Sequence, residues 1–423
     1  MVAPALSAPP RSEQRQRWLS TLLQQLPPAA GPLRDVQRHA VSRLCESGLP
    51  DRRQEAWRFT SLDPLTSLDP VRLAHPPDPV AASWPAPAGG SLRLVLDGRT
   101  DPLAGVRLPA GLESIPAEAL PGLLGSCLQA CAAADDWPTL LNAAAAGQVL
   151  ALRVTAAVAP VLELVAEAAG PGLLASRVLL LLEPEADLRL LQVQRGAAGS
   201  LSSLVLEAEL QPGARLLHGL LALGDPGAVL LAQQAVRQQP GSSVSLISAS
   251  RGWDLCRLQP RVLQAAGEAS TRLRGLHWVD GSALADTHSL VRFGGPDGQL
   301  DQLHKVVADG SGRSVFDGAV QVPRAAQRTD ASQLSRALLL SDRACVDTKP
   351  QLEIVADDVR CAHGATISRL QDDQLFYLRS RGVSATAASR LLLRGWCEEV
   401  LAELPGAATW RPLQTMLGEV CAP

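Results

Sequence analysis

Hydrophobic and polar positions change rhythm twice along this chain. In residues 13–48 the apolar positions fall at helical spacing. Trp18, Leu22, Leu23 and Leu26 share one face, and Pro27-Pro28 stops the run. Leu33, Val36, Ala40 and Leu44 repeat the pattern before Gly48 and Pro50 end it. The spacing predicts two amphipathic helices. A Pro/Ala/Gly-rich connector from His75 to Gly90 follows. Residues 92–150 are mixed, with a short strand at Leu92–Leu96 and a helix around Leu123–Ala134.

The middle of the chain keeps a strand rhythm. Turn words recur at Pro184-Glu185-Ala186, Pro212-Gly213-Ala214, Pro226-Gly227-Ala228 and Pro240-Gly241-Ser242, spaced by 28, 14 and 14 residues. Ala266-Gly267-Glu268 follows about two periods later. Between the words lie alternating runs such as Leu204–Leu210 and Ser243–Ser248. A fixed beat of strand and turn without intervening helices argues for a solenoid of stacked strands. An antiparallel sandwich, with turns every ~8–12 residues, is the competitor; the 14-residue beat favours a parallel β-helix. Helical rhythm returns after His363. Asp372–Ser380 reads as a short helix closed by Gly382, and a second runs from Ser384 to Leu404 with Leu392, Trp396 and Val400 on one face, stopped by Pro405. The expected division is an N-terminal helical unit and linker (1–90), a β core (91–368, with 91–150 as an entry segment) and a C-terminal helical unit (369–423).

Composition narrows the classes. A chain of 423 residues buries a large core in two or three units. Its net charge of −3, with both signs interspersed, gives no basic footprint for nucleic acid. The eight cysteines (45, 127, 131, 256, 345, 361, 397 and 421) form no Cys-x-x-Cys pair and no disulfide framework, which fits a reducing compartment. The opening MVAPALSAPPRSEQRQRW lacks a secretory apolar core, and the aliphatic burst Val178–Leu182 is too short to span a bilayer. The expectation is a soluble, intracellular protein without membrane insertion.

Several chemistries have no motif here. Lys305 follows His304 and Lys349 follows Thr348, so neither lysine ends a phosphate-binding P-loop, and Gly310-Ser311-Gly312 suits a β-turn. No zinc-protease helix, nucleophile elbow or dinucleotide fingerprint occurs. What remains is Cys361 and His363, two residues apart. Strand alternation puts Val359, Cys361 and His363 on one face. Thiolate and imidazole suit iron, copper or zinc, yet two donors make half a site. Interior packing is the competing reading of both residues. Packing is also expected for Cys45, Cys127, Cys131, Cys256, Cys345 and Cys397, and for His277, His288 and His304. Trp57, beside Glu55 and Arg58, reads as an anchoring aromatic. Arg379 and Arg381 either meet a partner's acids or complement a helix end.

The run Lys349–Gly382, KPQLEIVADDVRCAHGATISRLQDDQLFYLRSRG, resembles the C-terminal region of the SufB/SufD family, scaffold subunits of the Suf iron–sulfur cluster assembly system. Cys361–Thr366 and Phe376–Gly382 resemble its SufD branch; a SufB chain would carry His-Glu-Ala-Thr in place of His363-Gly364-Ala365-Thr366. The resemblance continues through SVFDGAVQV (Ser314–Val322) and QLHK (Gln302–Lys305), and more loosely through Leu140–Val154 and RRQEAWRFTSLDPL (Arg52–Leu65). It implies a right-handed parallel β-helix core flanked by helical units, and a non-catalytic scaffold. It further implies pairing with SufB through the C-terminal β-helix, and docking of the SufC ATPase through residues about 372–404. Cys361 and His363 would then ligate a nascent Fe–S cluster at the SufB interface. The family's complex is associated with a reduced flavin, for which no motif is legible here, and no nucleotide is expected on this chain. The resemblance implies a bacterial cytoplasmic location ahead of plastid stroma. A SufB-type or self-pairing homologue is one alternative. A β-helix enzyme acting on carbohydrate or acyl groups is another, but the acidic residues show no register on one face.

Overall fold

The computed structural model describes residues 11–31, 33–78, 84–87 and 90–418; Cys421 and parts of the opening segment and of the His75–Gly90 connector lie outside them. The helical start forms as its spacing predicts, in helices Arg11–Gln25 and Leu33–Ser47, with Leu22 and Leu44 fully buried. Beyond them the chain winds into a parallel β-solenoid. Successive strands go alternately to two nine-stranded sheets, so a strand's ladder partners lie one full coil before and after it. Leu162 pairs with Leu190, Asp187 with Arg215 and Arg215 with Ser243, each 28 positions on. The 14-residue beat is therefore half a coil, one strand plus one corner. Coils lengthen later: Gln299 pairs with Asp330 and Arg313 with Cys345, 31 and 32 positions on. The short pair Leu112–Ser114 and Leu150–Val154 is antiparallel.

The corners explain the Pro-Gly words. Gly213, Gly227 and Gly241 take φ of 73°, 88° and 73°, the left-handed conformation that the third residue of a type II turn requires. Glu185 holds the same position at φ 61°. Corners also stack: the Gly213 amide donates to the Pro240 carbonyl and the Gly241 amide to Glu268. Inside the solenoid, aliphatic side chains from both sheets form one cluster that includes Leu164, Leu180, Leu190 and Leu206. The lining turns polar along the axis. The position held by Leu190 passes to His218, Leu246 and Leu273, then to Gln302 and Gln333. These polar groups pair with one another: Gln333 donates to Gln302 at 3.0 Å, and Gln302 to Ser289 at 2.7 Å.

Two helical expectations need correction. Leu123–Ala134 yields only the short helix Ser126–Ala130, because Gly125 and Ala132 bracket it with left-handed backbone (φ 85° and 54°). The longer helix lies just beyond, at Trp137–Ala145, opened by Pro138 after Asp136 in the manner of an N-terminal proline. The last long helix ends at Leu401, ahead of the expected Leu404. The chain does not stop being helical at Pro405 either: Ala407–Trp410 and Pro412–Leu417 tuck Trp410 and Met416 against the solenoid.

A buried clasp fastens the N-terminal unit to the solenoid wall. Arg257, fully buried on strand Leu255–Gln264, forms an ion pair with the fully buried Asp286 of strand Leu284–Phe293. The Arg257 guanidinium donates to the Ala56 carbonyl at 2.9 Å and lies 3.9 Å from the centre of the Trp57 ring. The Thr60 hydroxyl donates to Asp286, and His288 Nε2 stands 3.0 Å from its other oxygen. Trp57 is thus the anchor its sequence context suggests, and it meets Trp137 edge to face. Burial pushes the Asp286 carboxyl up, but Arg257 and His288 reverse this and hold it at about 2. Its contribution to stability is therefore complete above the unfolded value of ~3.9 and is lost as pH falls towards 2. Arg257→Met should lower stability by about 3–5 kcal/mol at pH 7, read by urea unfolding, because it strands a buried carboxylate. The deficit should shrink as pH falls and that carboxyl protonates; a deficit independent of pH would contradict the clasp.

Candidate functional site

The solenoid ends in two long open strands. Val359–Ser368 closes one sheet and Cys345–Ile354 the other; among the described residues, neither has a ladder partner on its far side. The last long helix, Ala385–Leu401, packs on an outer wall of the solenoid and leaves most residues of the two terminal strands partly or wholly exposed.

Cys361 and His363 both lie on the terminal strand Val359–Ser368. Cys361 is in register with Ala331 and His363 with Gln333, both buried residues of the penultimate coil's inner face. Val359, Cys361 and Leu352 of the opposite sheet pack against the interior cluster. The shared face expected from alternation is therefore the lumen face, at its open mouth. Cys361 is half-buried and His363 exposed. Two residues of strand rise separate their Cα atoms by about 6.6 Å, close enough for thiolate and imidazole to converge on one ion. Burial pushes the Cys361 thiol above its ordinary value; Asp330 adds to this, and a backbone contact with Ala331 opposes it. A metal taken up here displaces that proton. Among the described residues, no group of three or more His, Cys, Asp or Glu is arranged to hold a metal ion.

The other cysteines divide by environment. Cys127, Cys131, Cys256 and Cys397 are buried, as packing predicts. The Cys127 thiol donates to Glu209 and that of Cys131 to the Val236 carbonyl. Burial pushes Cys131, Cys256 and Cys397 up to about 12, so these thiols stay protonated and inert. Cys45 and Cys345 depart from expectation: both are exposed. Cys45 follows the fully buried Leu44 on a helix, where one residue turns a side chain about 100° away from the core. Cys345 starts a strand with no further coil to cover it. Two of the histidines expected to pack in the solenoid, His277 and His288, find polar partners, whereas both ring nitrogens of His304 are buried without one among the described residues. His277 bonds to Ser250 and Thr287, His288 faces Asp286, and His304 stacks on Phe316 with ring centres 4.5 Å apart.

Sequence reasoning expected a docking face within residues about 372–404 but named none of its exposed aromatics. Helix Asp372–Ser380 buries no residue, and Phe376 and Tyr377 are 72% and 58% exposed. The absence of an apolar stripe around that aromatic pair was the available signal. Arg381 lies over the Tyr377 ring at 5.4 Å, while Arg379 stands in the last helical turn, where a cation complements the dipole.

Comparison with known proteins bears on this edge. Residues 164–396, more than half of the chain, match the family described as SUF system FeS cluster assembly, SufBD core domain. The chain is 41% identical over 202 residues to the chloroplast protein ABCI7 of Arabidopsis thaliana, covering 48% of this chain and 42% of that protein. It is 38% identical over 207 residues to an iron–sulfur cluster assembly SufBD family protein of Synechocystis, covering 49% and 46%. It is 40% identical over 138 residues to the iron–sulfur cluster assembly protein SufD of Escherichia coli, covering 32% and 33%. The matched segments span less than half the length of each of these relatives.

Thiol labelling tests the arrangement. In the folded chain iodoacetamide should modify Cys45, Cys345 and Cys361 within minutes, and Cys127, Cys131, Cys256 and Cys397 only after unfolding. The Cys361 rate should rise with pH to a midpoint above the ~8.5 of a free thiol, as mapped by peptide mass spectrometry.

Proposed function

Because this chain belongs to the SufBD family of iron–sulfur cluster assembly proteins, we propose that it is a SufD-like scaffold subunit. It has no complete active site of its own. It pairs edge to edge with a SufB-type subunit, and the nascent Fe–S cluster, the cargo of the assembly, forms between them. The observation that carries this reading is the position of Cys361 and His363 on the lumen face of an open terminal strand. An incoming strand would lie about 4.8 Å from Val359–Ser368, so its inward side chains would stack directly over Cys361 and His363. Half a ligand set on an unpaired edge is what a shared site requires. Thiolate and imidazole are donors that Fe–S chemistry accepts, and the raised Cys361 thiol ties ligation to loss of a proton.

In the same reading the SufC ATPase docks on the terminal helices, with exposed Phe376 and Tyr377 as its apolar contacts. Its turnover shifts the scaffold and opens the shared edge. The free thiols at the seven described cysteines suit a reducing compartment, which in this reading is the bacterial cytoplasm, with plastid stroma as the alternative.

Co-purification with SufB-type and SufC-type subunits, followed by cluster reconstitution, tests the proposal. Cys361→Ala and His363→Ala should each keep the complex intact and lower the absorbance of assembled cluster at least several-fold. Full cluster yield in both variants would remove the ligand role, and failure of the wild-type chain to bind a SufB-type subunit would remove the scaffold role.

A further inference from the structure

Lys305 closes the word Gln302–Lys305, to which the proposed function gives no role. Gln302 and His304 are buried in the lumen, so alternation turns Lys305 outward, beneath helix Ala385–Leu401. That helix buries Leu393, Cys397, Val400 and Leu401 against a wall that includes Leu276 and Val307. Apolar attraction across this seam is non-directional and by itself sets the helix's rotation and height only through side-chain fit. Lys305 supplies the missing direction. Its ammonium donates to the Trp396 carbonyl at 2.7 Å and to the Glu399 carboxylate, and it lies 4.4 Å from the centre of the Trp396 ring. At 2% exposure this charge has lost its water, so the helix must keep the one rotation and height that satisfy it. Arg272 and Arg274 hold Glu403 just past the helix end.

The neighbouring helix is held differently. Asp372–Ser380 buries nothing and joins the terminal strand Val359–Ser368 through three residues, Arg369 to Gln371. It is therefore suspended between a pinned helix and an open edge strand. We propose that Lys305 is a positioning residue that fixes helix Ala385–Leu401 as a stationary post, so that displacement of helix Asp372–Ser380 is delivered to the strand bearing Cys361 and His363. The source of that displacement, an ATPase docked on the exposed aromatics, rests on the scaffold reading above.

The test compares wild type, Lys305→Met and Lys305→Arg as full chains and in the complex with SufB-type and SufC-type subunits. In the chain alone, Lys305→Met should speed amide exchange across Ala385–Leu401 on the order of tenfold, and Lys305→Arg should restore protection. In the complex, ATP should change the alkylation rate of Cys361 in wild type and in Lys305→Arg. Lys305→Met should lose most of that change while keeping subunit binding and ATP turnover. Unaltered helix exchange in Lys305→Met, or a full ATP response of Cys361 in it, would overturn the role of Lys305. A wild-type complex in which ATP leaves Cys361 alkylation unchanged would instead overturn the ATP-driven shift of the scaffold, the part of that reading on which the inference rests.

Discussion

A parallel ladder cannot satisfy its own ends. The backbone groups of these strands are paired by the coil on either side, with a break at Gln259-Pro260, so the first and last coils each leave rows of groups unmatched. The two ends of this solenoid handle the problem differently. At the N-terminal end the outermost strands are short, Leu92–Val95 and Leu112–Ser114, of four and three residues. At the C-terminal end they are full-length, ten residues each. Long open edges are a hazard that folded proteins ordinarily blunt. Keeping two of them beside a thiol and an imidazole suits an edge that is paired in its working state.

Two buried cations fix what surrounds that ladder. Arg257 and Lys305 lie on outer faces of opposite sheets, one under the N-terminal unit and the other under the last long helix. Neither is strong evidence for net stability, since apolar residues of similar size would fill the same space. Their effect is on position. A charge removed from water tolerates only geometries that return its lost hydrogen bonds, and each cation finds a backbone carbonyl, a carboxylate and a tryptophan face. Close approach elsewhere reinforces the fit: a side chain at Gly219 would collide with Leu404 and Pro405, so the end of the helical unit can lie flat on the sheet there.

Much of this was legible in the sequence, for identifiable reasons. Corners need left-handed backbone, which Gly after Pro supplies, so the coil announces itself at Gly213, Gly227 and Gly241. Past Gly267 the left-handed corner residues are Gly281, Asp297, Gly310 and Arg328, none of them in a Pro-Gly word, and the coils lengthen, so the beat fades although the structure continues. Alternation correctly grouped Val359, Cys361 and His363, because a strand's period is independent of its neighbours. Whether a face is covered is a property of the neighbours, and local pattern misjudged it at Cys45 and Cys345. The clasp around Arg257 joins residues about 200 positions apart, beyond the reach of any local pattern.

The change in the lumen from leucine to glutamine and serine has a consequence for how the chain folds. In a stacked array each coil is stabilised by its own interior and its neighbours, so coils need not form together. Those lined by Leu162, Leu164, Leu180 and Leu182 bury aliphatic surface at once. Those holding Gln302, Gln333 and Ser335 gain less until their hydrogen bonds are aligned. Winding should therefore start in the aliphatic half and reach Val359–Ser368 last. Fraying should begin at that same strand, which makes the order of the edge bearing Cys361 and His363 the most dependent on what binds it.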